Sequence, residues 1–207
     1  MSAQVPFFTT LFAVAVVFFL WSCYLRFSLV LLGKPDDRFS YFSRRFANML
    51  LYAFGQRRVV TRSYPFGLNH SVFFWCFLIL LLTNTEFLLH GLFPGYIALS
   101  RLPEGLYFTL ALIFDIISLV ALLAVIIALT RRLFFPPKYI DARTVDAFVV
   151  LGLVATLMLA FFGMHGSEIA LGSESAAAFM PVSNFVGNFM LAGTPVNILT
   201  ALVMVFF

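Results

Sequence analysis

His70, Glu86, His90 and Asp115 stand inside long apolar runs, where an ionisable side chain is costly and by default marks a functional site. A b-type haem takes two neutral imidazoles, one on each face of the macrocycle, usually from different helices. His70 lies one turn into its apolar run, and Gly67, three residues earlier, shares its side of a helix. Glycine at that position would let a macrocycle edge approach the backbone, with Phe66, Phe73, Phe74 and Trp75 as walls. The competing reading of His70 is an interfacial histidine bonded to a lipid phosphate or a carbonyl. Glu86 and His90 are spaced i,i+4 and share one helix face. A carboxylate and an imidazole so placed suit the carbonyl or hydroxyl of a quinone and the passage of protons to water.

Asp115 lies deeper in the next apolar run, where it extends a proton path or bonds a neighbouring helix. His165 and Glu168 fall at the end of a later run on the same side as His90, and Glu168 and Glu174 read as a hydrated membrane boundary. Cys23 and Cys76 are isolated in apolar stretches, which suits packing and excludes an iron–sulfur cluster, and structural zinc is excluded as well, since the sequence shows no ligand cluster. No phosphate-cradling glycine loop, nucleophile elbow or HExxH motif is present, so hydrolytic and ATP-driven chemistry has no residues to run on. Electron and proton traffic, passive transport or anchoring remain.

The elements that position these residues are membrane spans. The chain is 62% hydrophobic and 11% charged, with 28 phenylalanines and a mean hydropathy of +1.02, against about 45–50% and about 25% in a soluble domain. Its length and patterning predict a single all-α membrane domain with five transmembrane helices, over about 5–32, 70–92, 105–130, 146–164 and 182–207. The first run has neither a positive n-region nor a small-residue cleavage site, so it is a span rather than a removable leader, and Arg26 near its end can snorkel. The last contains Gly187, Gly193 and Pro195, and only twelve residues follow Pro195. That length is about 18 Å of helix, less than a crossing, so the last span is expected to be incomplete and the chain a fragment of a longer polypeptide.

Residues 33–69 form a basic segment with Lys34, Arg38, Arg44, Arg45, Arg57, Arg58 and Arg62 against Asp36 and Asp37. Its stretch YFSRRFANMLLYAFGQRRVV mixes aromatics and arginines as an amphipathic helix in the interface does. Lying on anionic lipid and docking an acidic partner are both open to it. Residues 33–69 and 131–145 together hold eleven of the thirteen lysines and arginines, which puts that side in the cytoplasm and the N-terminus outside. The net charge of +4 resides in these loops and is no nucleic-acid signature.

Three stretches carry a resemblance: LGKPDDR (32–38), GQRRVVTRSYPFGLNHSVFFWCF (55–77), and LALIFDIISLVALLAVIIALTRR (110–132) with the following KYIDARTVDAFVVLGL. Together they resemble the N-terminal membrane domain of bacterial Fe–S oxidoreductases. In that family a cytochrome b domain, similar to the gamma subunit of respiratory nitrate reductase, joins a cytoplasmic ferredoxin-like and heterodisulfide-reductase-like part. Members are implicated in passing electrons from electron-transfer flavoprotein to menaquinone. The resemblance covers the chain to about residue 170, and its most specific element is the basic loop followed by GLNHSVFFW. It implies a haem b with His70 as an axial ligand, menaquinone as substrate, and 4Fe–4S clusters on a cytoplasmic domain or subunit. The family's partner histidines come from a fifth span and the segment after it, and no such histidine occurs here. The family often has an acidic residue at the end of the fourth span, where this chain has His165.

The expectation is therefore a multi-pass module of the bacterial cytoplasmic membrane that passes electrons from an Fe–S or flavoprotein partner to menaquinone in a respiratory chain. His70 would bind haem iron, Gly67 would pack the haem, and Glu86, His90 and Asp115 would serve quinone and protons. A haem-free anchor for a soluble redox partner and a small proton-linked transporter are the alternatives.

Overall fold

The computed structural model describes residues 4–34, 40–62, 64–93, 99–136 and 144–206. All regular structure among them is helical. The sequence expectations that rest on Asp36, Asp37, Arg38, Pro94, Gly95, Lys138, Asp141 and Arg143 lie outside the described residues. Four helices are long and apolar enough to cross a membrane: α1 (Gln4–Leu31), α4 (Phe66–Leu92), α5 (Glu104–Phe134) and α6 (Val145–Ala170). The protein is a multi-pass membrane protein on that ground. Between α1 and α4 lie α2 (Phe42–Met49), which runs on as a π-helical turn (Leu50–Phe54), and α3 (Arg57–Arg62).

The chain divides into two compact units. One holds 1–57 and 85–98. In it α1 is apolar on every side and buries no residue of its most apolar stretch, as suits a helix surrounded by lipid. Gly91 of α4 receives the ring of Phe8 where a side chain would otherwise stand. On α2, Phe42 and Phe46 are one turn apart and stack at 6.2 Å, while Arg44 and Arg45 occupy the intervening arc.

The second unit holds 58–84 and 99–207, and α5 is its centre. Ala111, Phe114, Asp115, Ser118, Ala121, Ala124 and Val125 are buried on α5, a stripe repeating every three to four residues. Most members are small, so neighbouring backbones can come close, the usual basis of helix association in lipid. Cys76 and Leu80 of α4 and Met158 of α6 pack on this stripe with Phe114 and Ala121. Asn69 of α4 donates its amide to the Ala124 carbonyl at 3.1 Å and fixes the register of α4 on α5.

Two stretches depart from the expected spans. The fourth helix does not stop at 164 but continues to Ala170, because Gly166 and Ser167 are buried by a later segment. The 182–207 run is not one rod. It comprises α7 (Pro181–Phe185) continued by a π-helical turn (Val186–Met190), then α8 (Val196–Phe206). Gly193 takes a positive φ of 78° between the two pieces, and Pro195 starts the second.

Candidate functional site

Residues 171–190 bring the polar side chains of this unit together. The segment starts with a Schellman turn at the end of α6: Ser173 N–H donates to Glu168 O and Gly172 N–H to Ile169 O, with Gly172 at φ 73°. This reversal returns Glu174 over the last turns of α6. Glu174 Oε1 there accepts hydrogen bonds from Tyr107 Oη (3.1 Å) and from the Ala176 N–H (2.9 Å). Its other oxygen, Oε2, lies 3.3 Å from His165 Nδ1, and Glu168 Oε2 lies 3.2 Å from the same nitrogen. The ring of Phe161, one turn earlier on α6, meets the imidazole edge-on with centroids 4.6 Å apart. Burial alone would push the Glu174 carboxyl up. The hydrogen bonds from His165, Ala176 and Tyr107 outweigh it and leave the group below the ordinary carboxylate range.

Beyond Glu174 the chain follows α5 inward. Phe179 stacks on Phe108 at 4.6 Å, Met180 and Ala176 pack on Ala111, and Val182 and Ser183 reach Asp115. From Tyr107 to Asp115 is eight residues of helix, a descent of about 12 Å. Asp115 is fully buried and caps the start of α7 from across the bundle. Oδ2 accepts from Val182 N–H at 2.6 Å, and Oδ1 accepts from Ser183 N–H at 3.1 Å and Ser183 Oγ at 2.6 Å. Asp115 thus bonds a neighbouring helix, which is the second of its two sequence readings. The helix then meets the end of α6, where Val186 and Gly187 lie against Gly166 and Ile169. A Cβ on Gly187 would stand 2.6 Å from the Gly166 carbonyl oxygen, so both glycines are required by the approach. The segment dips into the bundle and returns to the end at which it entered. Backbone of this kind at membrane depth is tolerated where protein buries it.

The other sequence candidates lie elsewhere. His70 is exposed on the second turn of α4, and Phe66 and Phe77 on the same side are exposed as well. Gly67 is buried, but its open side is filled by the Val59 carbonyl and Val60 Cα of α3. The missing Cβ therefore serves helix contact within the chain, not a macrocycle edge. Glu86 and His90 belong to the first unit, on one face of α4, and both are half-buried.

Against a bis-imidazole haem, the described residues fit on one side. Asn69, next to His70, meets α5 at Ala124, whereas His165 is tied through Glu174 to Tyr107. Those anchor points are seventeen residues apart, about 25 Å of helix, so His70 and His165 cannot share an iron. His90 is twenty residues from His70 on the same helix, about 30 Å. The described residues therefore supply no second imidazole to His70.

Sequence reasoning assigned Glu168 and Glu174 to a hydrated boundary, left Tyr107 aside and found no ligand cluster, whereas the fold brings His165, Glu168 and Glu174 together as one. Two signals for the cluster were present: the i,i+3 spacing of His165 and Glu168, and Gly172 as a helix stop that reverses the chain. No protein-family model, curated protein or solved structure matches this chain, so the chemistry of its sites rests on its own residues.

Proposed function

We propose that this chain is the membrane part of a quinone-linked oxidoreductase: a cytochrome b-type module passing electrons between a cytoplasmic Fe–S or flavoprotein partner and the menaquinone pool. The observation that carries the reading is the outward-facing imidazole of His70. It lies in the second turn of a membrane-length helix, beside exposed phenylalanines and directly after a segment rich in arginine. That placement suits an axial ligand whose partner imidazole comes from another subunit, since the other two of the three histidines, His90 and His165, lie too far from it. A b-type haem, when bound, carries single electrons. The resemblance of GLNHSVFFW to the second span of the Fe–S oxidoreductase membrane domains supports the same assignment.

In this reading the N-terminus lies outside the bacterial cytoplasmic membrane, the basic segment faces the cytoplasm, and α2 lies in the interface with its phenylalanines in lipid. Reduction of a quinone to a quinol takes two electrons and two protons. Glu86 and His90, one turn apart, are placed to hold the head group and hand protons to it. Asp115, already accepting three hydrogen bonds, serves the fold rather than a proton path.

The test is a reduced-minus-oxidised absorption spectrum of the full chain in detergent, with haem quantified per polypeptide and an exogenous imidazole supplied. A b-type spectrum lost in His70→Ala is expected. A spectrum and quinone reduction that survive His70→Ala would overturn the assignment. Partner-dependent activity in a haem-free preparation would favour the anchor instead.

A further inference from the structure

The geometry of the cluster at the Tyr107 end of α5 goes beyond this reading. We propose that His165, Glu168 and Glu174 form a mononuclear binding site for a divalent transition cation of the zinc class.

The donor atoms are already at ligand spacing. His165 Nδ1 stands 3.2 Å from Glu168 Oε2 and 3.3 Å from Glu174 Oε2, and one ligand atom from each residue lies within 4.8 Å of the others. Zinc bonds to nitrogen and oxygen of about 2.0–2.2 Å in a tetrahedron place neighbouring ligands about 3.3–3.6 Å apart. The two separations from His165 meet that spacing, and a cation would draw the two carboxylate oxygens to the same edge length. Without a cation a single Nδ1–H is shared between two carboxylate oxygens, and both separations are long for a charge-assisted bond. A cation between the three atoms bonds all of them.

The surroundings are those of a supported ligand set. Glu174 is held through its far oxygen by Tyr107 Oη and the Ala176 N–H, which leaves Oε2 directed at His165. Such outer partners orient ligands and are worth about 10–100-fold in metal affinity. Phe161 packs against the imidazole, and the Gly172 turn sets the spacing between Glu168 and Glu174. Two carboxylates balance the charge of a dication, and an imidazole with two carboxylate oxygens selects zinc-class metals over calcium or magnesium, which take mostly oxygen. The side chains of His165, Glu168 and Glu174 are 20%, 28% and 8% exposed, so the cluster can be reached by an ion from outside.

The experiment uses the full chain purified in detergent, stripped with chelator and titrated with Zn²⁺ by calorimetry, with Co²⁺ absorption as a report of coordination. One Zn²⁺ per chain is expected, with the intense visible bands of four-coordinate Co²⁺. Glu168→Gln, at the most exposed ligand, should lower affinity at least tenfold with helicity unchanged, and Tyr107→Phe about tenfold. His70→Ala should leave binding unaltered, which separates this site from the proposed haem ligand. Absence of stoichiometric binding to the wild-type chain would overturn the proposal and leave an ion-paired cluster. Binding unchanged in both Glu168→Gln and His165→Ala would overturn it too, by moving the metal elsewhere.

Discussion

Replacing Asp115 tests whether the buried dip of residues 171–190 is held as described. Asp115→Ala removes the acceptor of three hydrogen bonds at a position with no solvent access. The Ser183 hydroxyl can rotate to a carbonyl of its own chain, a common fallback for serine. The Val182 and Ser183 N–H groups have no such freedom, because they open a helix and have no carbonyl within it to bond. Each buried donor left unpaired costs about 1–3 kcal/mol, so Asp115→Ala should lower stability by about 2–6 kcal/mol. Asp115→Asn keeps one oxygen for Ser183 and turns an amide NH₂ toward the Val182 N–H. Only that contact fails, and the loss should be about 1–3 kcal/mol. Equilibrium unfolding in mixed micelles, with sodium dodecyl sulfate as denaturant and helicity as the signal, gives both values. If alanine cost less than about 0.5 kcal/mol, or asparagine were the more damaging of the two, Asp115 would not be what holds the dip.

Two further substitutions address the contacts that fix the geometry. Gly67→Ala drives a methyl into the Val59 carbonyl, which belongs to rigid backbone. Destabilisation of about 1–3 kcal/mol in the same assay is expected, together with faster proteolysis between α3 and α4. Gly172→Val forces a β-branched residue into φ 73°, at a cost of about 1–2 kcal/mol. Because that turn carries Glu174 back to His165, the variant should also bind Zn²⁺ more weakly by calorimetry, whereas Gly67→Ala should not.

The spans were legible because length and apolar composition alone identify a membrane helix, and α1, α4, α5 and α6 meet that criterion without help from packing. The buried stripe on α5 was not read from the sequence, because in a span apolar on all sides Ala111, Ser118, Ala121 and Val125 do not stand out from their lipid-facing neighbours. Nor was the end of the fourth helix. His165, Gly166 and Ser167 look like the start of a polar loop, yet Ser167 is buried and Gly166 lets Val186 and Gly187 lie against it. The break in the 182–207 run was announced by Gly193 and Pro195, and hydropathy averaged over the whole stretch masked it. Asp115 presented an ambiguity that local pattern cannot resolve, since its partners are 67 and 68 residues away. Gly67 is the converse case. A glycine beside a histidine fits a cofactor edge, but the atoms that need the space belong to Val59, eight residues back.

The placement of the two proposed sites along α5 gives the molecule a polarity that its composition does not show. The helix is joined to the His70 region at Ala124 and to the His165 cluster at Tyr107, and Asp115 lies between them without charged neighbours on its own buried stripe. An electron site and a cation site about 25 Å apart along one helix cannot act on the same reacting atom. The cation at the Tyr107 end would instead act on structure. It ties α6 to the loop that carries Phe179, Met180 and the start of α7, so binding should stabilise the segment that Asp115 caps. Saturating Zn²⁺ should therefore raise the unfolding free energy of the wild-type chain by a mass-action increment, and that increment should be smaller in Glu168→Gln at equal metal. If the metal stabilised His70→Ala and Glu168→Gln equally, the ligand set would lie outside this cluster, and α6 would be held to the dipping segment by the packing of Val186 and Gly187 on Gly166 and Ile169.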